Sequence, residues 1–160
     1  MNHLRALEKK GVIRRTPGKA RSAVDPNLRF PRGFKPIPLL GQIPAGMPVE
    51  SAELDGASLG IDLAAFGIRS SADLFALKVQ GESMSGAQIA DGDTVILQKR
   101  VPKNGDIVAA LIDGETTLKR YLVEAGRPFL KAENPAYPNL LPAAELSIQG
   151  VMIGLIRRVA

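Results

Sequence analysis

The sequence predicts a mainly β chain. Three observations carry that reading: a series of short runs rich in strand-forming residues, turn residues punctuating them, and only one short helical signature, near the start. With 160 residues, 45% hydrophobic and 4% aromatic, the chain can build one ordinary domain plus an appendage.

The elements follow in order. Met1, Leu4 and Leu7 share a helical face, and Gly11 after Lys9 and Lys10 reads as a helix stop. Val12 to Arg15 and Ala20 to Ala23 flank Thr16-Pro17-Gly18-Lys19, the pattern of two short strands around a turn. From Val24 to Pro38, four prolines (26, 31, 36 and 38) stand among Arg29, Arg32 and Lys35 without apolar periodicity, which predicts a stiff, extended basic linker. Ile37 to Val49 carries no charge and needs cover. Strands are then expected at Phe75–Gln80, Thr94–Lys99, Asp106–Ile112, Thr116–Val123, Phe129–Ala132 and Leu146–Val159. Turn residues separate them at Asp91-Gly92-Asp93, Lys103-Asn104-Gly105, Asp113-Gly114 and Glu133-Asn134-Pro135, and Asp113-Gly114 between two alternating runs is a strong hairpin signal. No repeat with the period of a solenoid or propeller is visible.

Charge is unevenly placed. Residues 1–36 hold ten Lys or Arg against Glu8 and Asp25, a net +8, whereas the remainder carries −3. The overall +5 therefore belongs to an amino-terminal arm able to touch phosphates. With no Cys, disulfides, thiolate metal sites and cysteine nucleophiles are excluded; with His3 the only histidine, a histidine-based triad or multi-histidine metal site is not expected. No cofactor is expected. Charges throughout residues 1–15 interrupt any signal-peptide core, and no run approaches a membrane span, so a cytoplasmic protein without membrane attachment is expected.

What remains for covalent chemistry is a Ser or Thr hydroxyl activated by a base, most plausibly lysine. Ser83 follows an apolar strand in Gln80-Gly81-Glu82-Ser83-Met84, where Gly81 permits a tight turn that presents a hydroxyl and backbone N–H groups. In the strand Thr116–Val123, period two places Thr117, Lys119 and Tyr121 on one face and Leu118 and Leu122 on the other. If the Lys119 face is covered, desolvation yields a neutral amine that can take a serine proton. Arg120 points the opposite way, and its guanidinium stays protonated. Taken alone, a Ser after a Gly is usually a turn residue and a Lys in an amphipathic strand is usually solvated, so spacing by itself favours that plainer reading.

Longer blocks narrow the reading. Ile37-Pro38-Leu39-Leu40-Gly41, Pro44-Ala45-Gly46, Gly81-Glu82-Ser83-Met84, Asp91-Gly92-Asp93, Asn104-Gly105-Asp106, Thr117-Leu118-Lys119-Arg120, Glu133-Asn134-Pro135 and Gly154-Leu155-Ile156-Arg157 occur in this order. In order and spacing they resemble the family of self-cleaving Ser/Lys peptidases that includes LexA, UmuD and phage repressors. The resemblance implies a LexA/signal-peptidase-like β-rich domain over residues 37–160, containing the cleavage loop and the dimerising surface. It implies Ser83 as nucleophile, Lys119 as general base and Ala45-Gly46 as the scissile bond. Backbone N–H groups at Glu82 and Ser83 would meet the oxyanion. It also implies stimulation by a RecA filament on single-stranded DNA, and a homodimer formed through Val151 to Val159.

Residues 1–23 look like the end of a recognition helix and the wing of a winged helix-turn-helix, with the earlier helices and most of the base-reading element missing. A Pro-rich linker at 24–36 follows. The expected function is thus a LexA-like repressor of DNA-damage (SOS) genes that inactivates itself, with double-stranded DNA contact weakened by the missing reading head. One alternative is a UmuD-like processed accessory of translesion synthesis, and another is a non-cleaving decoy that dimerises with full-length repressors. Signal peptidases share the Ser/Lys logic but need a membrane anchor.

Overall fold

The computed structural model describes residues 14–15, 23–24, 33–40, 57–113 and 115–159. The helix expected in the first ten residues, the Thr16–Lys19 turn and the Ala45-Gly46 pair lie outside them. Within them the chain is mainly β, as the sequence predicts. β1 (Arg14–Arg15) pairs antiparallel with β2 (Ala23–Val24) through Arg14↔Val24 and Arg15↔Ala23, the two short strands expected on either side of that turn.

The remaining strands are β3 (Phe34–Leu40), β4 (Ser58–Asp62), β5 (Leu74–Lys78), β6 (Thr94–Gln98), β7 (Ile107–Ile112), β8 (Glu115–Glu124), β9 (Arg127–Lys131) and β10 (Leu146–Ile156). They form one eight-stranded sheet in the order β4-β3-β5-β6-β10-β7-β8-β9. Only β3 and β5 run parallel. The six strands expected after residue 74 all form, with ends moved by at most three residues. β7 and β8 make the predicted two-residue hairpin: Ile112 pairs with Glu115, and Asp113 takes φ 47°, the left-handed conformation that a primed turn requires. The Asp113 carboxylate also accepts N–H bonds from Ala143, Ala144 and Glu145 at 2.8, 2.8 and 2.9 Å, tying this hairpin to the start of β10.

β3 corrects the sequence reading. It begins at Phe34, inside the segment read as linker, and runs through Pro36 and Pro38. Leu39 donates its N–H to Ala57 on the β4 side (3.2 Å), so the same-parity residues Lys35 and Ile37 also turn their N–H groups that way. The prolines therefore direct their missing donors toward the β5 side, where pairing starts only at Leu39↔Ala76. Ile37 and Leu40 are buried, so part of the uncharged segment is covered by the sheet itself.

β10 crosses the centre. Leu146–Val151 pairs with β7 and Val151–Ile156 with β6, with register shifts between Ile148 and Gly150 and between Met152 and Gly154. Such bulges raise local twist and let a sheet curl over its own core. The result is a cluster in which Leu40, Phe75, Leu77, Met84, Val95, Leu97 and Ala109 are buried together, with Leu118 of β8 packed against them. β5 and β8 are not neighbours in the sheet, yet the curl brings the chain just after β5 up to β8.

Candidate active site

The segment after β5 is shaped by backbone bonds at both ends. Val79 donates to the Asp93 carbonyl (2.8 Å) and accepts from Gly92 (2.9 Å), closing the Val79–Asp93 excursion at its base. Gly81 adopts φ 82°, a conformation side chains resist, and its N–H donates to Asp91 Oδ1 at 2.8 Å. A single 3-10 turn, Ser85–Ala87, follows. Between them Met84 is buried in the core, so its neighbour Ser83 is held at the cleft with its backbone fixed on both sides. The Glu82 carbonyl accepts from Ser85 N–H (3.2 Å), and among the described residues no group accepts from the backbone N–H of Ser83.

Lys119 approaches from β8, opposite Val108 of β7. Its side chain is buried, at 7% exposure, and Nζ donates to Ser83 Oγ at 2.9 Å, Thr117 Oγ1 at 2.7 Å and the Leu118 carbonyl at 3.1 Å. Thr117 lies on the Lys119 face, as period two requires, but its place as a direct partner of Nζ was not legible from spacing. Among the described residues no carboxylate pairs with Lys119. Burial without a counter-ion disfavours the ammonium and lowers the Lys119 pKa from its ordinary value. The Ser83 and Lys119 side chains line one cleft of about 230 Å³, with Leu77, Val79, Met84, Thr117 and Leu118 among its walls. An amine whose charged form burial disfavours, touching a hydroxyl in a cleft, is equipped for nucleophilic acyl chemistry.

Two further groups brace this site. Arg120 points away from Lys119, as expected, and donates Nε–H to Glu133 Oε1 and Nη1–H to the Gly105 carbonyl (2.6 Å). Asp93, 1% exposed, receives Arg157 Nε–H and Nη2–H at 2.7 Å each and Ala90 N–H at 2.8 Å, while Nη2 also reaches the Gln88 carbonyl at 2.8 Å. This fork ties the end of β10 to the segment following Ser83. Neither pair was singled out by chemistry in the sequence, although all four residues sit within the motif blocks.

The Arg157 hydrogen bonds hold the Asp93 carboxyl below its ordinary pKa despite burial. A depressed carboxylate contributes stability above its unfolded value of about 3.9, and that contribution is lost as pH falls through the folded value. Thermal melts from pH 7 to 3 are therefore expected to show a steep acid limb that begins near pH 4 and is shallower in Asp93→Asn. An identical limb in that variant would remove Asp93 as a cause.

Of the residues expected at the site, Ser83 and Lys119 are brought together, Glu82 adjoins them, and Ala45 and Gly46 lie outside the described residues. Among the described residues no group of three or more His, Asp or Glu could hold a metal ion, and no helix is long and apolar enough to cross a membrane.

The fold and this site define the class. Residues 38–153 match the family model described as Peptidase S24-like, and residues 1–22 match the LexA DNA binding domain. The LexA repressor of Verrucomicrobium spinosum is 57% identical over 157 residues, covering 98% of this chain and 77% of that protein. The LexA repressors of Opitutus terrae and Caldicellulosiruptor saccharolyticus are 42% and 41% identical, covering 99% and 98% of this chain and 78% and 77% of theirs. The chain belongs to the LexA repressor family, whose peptidase portion is of the S24 type.

Proposed function

We propose that the chain is a DNA-binding repressor of the SOS response that inactivates itself by cutting its own Ala45-Gly46 bond. Ser83 Oγ is the nucleophile, neutral Lys119 the general base, and the backbone N–H groups of Glu82 and Ser83 the oxyanion donors. The observation that carries this reading is the 2.9 Å contact between a buried lysine amine and Ser83 Oγ. When Lys119 takes the Ser83 proton, Oγ adds to the Ala45 carbonyl; the protonated amine then returns the proton to the Gly46 nitrogen as the peptide bond breaks. Water releases the Ala45 acyl group by the same route.

Cutting in cis is favoured by the path of the chain. Leu40 packs in the same cluster as Met84 and pairs with Leu77, and Ala45 follows five residues later, a span of at most roughly 18 Å. A tethered bond within that reach has a high effective concentration at Ser83. A RecA filament that binds the docked loop better than the free one raises the cleavable fraction. The positive arm supplies phosphate contacts, and the DNA-binding match at residues 1–22 favours a repressor over a UmuD-like accessory. A homodimer through Val151 to Val159 is supported by β10, whose β7-side edge has no ladder partner beyond Val151 among the described residues.

The test is alkaline incubation of the purified chain without RecA. Because the base is the deprotonated amine, the rate is expected to climb with pH and level off above the lowered Lys119 pKa. Intact-mass analysis should find two fragments, one ending at Ala45 and the other beginning at Gly46. A single unchanged mass after prolonged incubation at high pH would overturn the reading.

A further inference from the structure

From the hydrogen bonds behind the nucleophile, we infer that Asn134 is a positioning residue that aims the oxyanion-binding N–H of Ser83, an inference that rests on the proposed Ser/Lys cleavage. Asn134 Nδ2 donates to the Glu82 carbonyl at 2.9 Å. That carbonyl and the Ser83 N–H belong to one planar trans peptide unit and point in opposite directions. A donor that pins the carbonyl on one side fixes the N–H on the other and opposes rotation of the unit.

The turn carrying Asn134 is itself anchored. Asn134 Oδ1 accepts the Ala136 N–H at 3.0 Å, which sets the side-chain amide in place. The preceding residue, Glu133, accepts Gly86 N–H on its carbonyl at 2.6 Å and Arg120 Nε–H on its carboxylate. Any Cβ at Gly86 would land on that Glu133 carbonyl oxygen, so the nucleophile turn and the Asn134 turn meet at a contact only glycine allows. Arg120 is the next residue after Lys119 on β8 and faces the other side. One strand thereby sets both parts of the reaction: Lys119 meets Oγ directly, and Arg120, through Glu133 and Asn134, holds the peptide unit whose N–H meets the developing oxyanion.

A donor placed slightly wrong loses much of its transition-state stabilisation, so the effect belongs on the rate and not on the base. The decisive variant is Asn134→Asp, which keeps an oxygen for the Ala136 N–H and loses the amide donor. Asn134→Ala loses both. Cleavage of the full chain is followed by intact mass from pH 7 to 11, with thermal melts alongside. Both variants are expected to melt as folded proteins and to cleave about 10- to 100-fold more slowly, with the inflection of the rate profile where the parent has it. Parent-like cleavage of Asn134→Asp, within twofold, would overturn the inference while leaving Ser/Lys cleavage standing. So would a moved inflection in Asn134→Ala, which adds no charge, since it would mean that Asn134 acts through Lys119. A parent that never cleaves would overturn the underlying reading, and this inference with it.

Discussion

With Lys119 replaced by methionine, alkaline incubation is expected to leave the chain intact, a loss of at least about 10³-fold, within the range that a positioned general base contributes. Ser83→Ala should do the same by removing the attacking oxygen. The stability readout separates this role from a structural one. Lys119 is buried beside two hydroxyls and a carbonyl and lacks a carboxylate partner among the described residues, so its charged form is disfavoured in the fold. Its folded pKa lies below its unfolded one, so between the two the unfolded chain binds more protons and the parent gains stability as pH rises. The methionine variant lacks that gain and should be at least as stable as the parent at pH 7 by thermal melting. Continued cleavage in either variant would remove that residue from its role. A methionine variant that is both cleavage-dead and strongly destabilised at pH 7 would point to Lys119 as a structural residue.

A large stability effect is expected from Gly150→Ala. Here β10 shifts register against β7, and an added Cβ would lie 2.7 and 2.9 Å from Phe75 Cε1 and Cζ and 3.1 Å from Leu97 Cβ. Phe75 and Leu97 are both buried in the same hydrophobic cluster, so the added methyl must displace packed side chains. Overpacking of this kind costs about 1–3 kcal/mol. Urea unfolding should show a lower midpoint with an unchanged slope; a midpoint equal to the parent's would mean that the Phe75 ring repacks freely. Because Phe75 lies on β5, which leads into the Ser83 turn, a modest loss of cleavage should accompany the loss of stability.

These two sites differ in how far they were legible. Ser83 and Lys119 were identified as a possible pair from residue types left after His and Cys were eliminated, and the motif blocks gave them roles. β5 to β10 were readable because each alternates or runs apolar between Gly, Asn or Asp turns. β3 was not, because Pro36 and Pro38 remove the usual mark of a strand, and only the sheet's asymmetry makes them harmless: β5 pairs with β3 only beyond Pro38. β4, with Gly60 and Asp62 in a five-residue strand, offers little local propensity and exists because β3 supplies a partner. Asp93–Arg157 and Glu133–Arg120 join residues 64 and 13 positions apart; the first continues the Thr94↔Ile156 ladder by one position and the second lies just beyond the Arg120↔Lys131 pair, so both depend on a strand register that no local pattern encodes.

The pairing of β3 with both β4 and β5 has a consequence for what happens after a cut. Residues 41–56 connect Leu40 to Ala57, whose carbonyl is bonded to Leu39. Breaking any bond in between yields two polypeptides that still share this ladder: the amino-terminal piece keeps all of β3, with Ile37 and Leu40 buried in the body of the other piece. A chain cut there would be a non-covalent complex, in which severing the bond is a separate event from shedding the arm. How long the arm stays is set by the rate at which β3 peels from its neighbours, a clock that follows the chemistry and that core substitutions at Ile37 or Leu40 would speed up without touching Ser83 or Lys119.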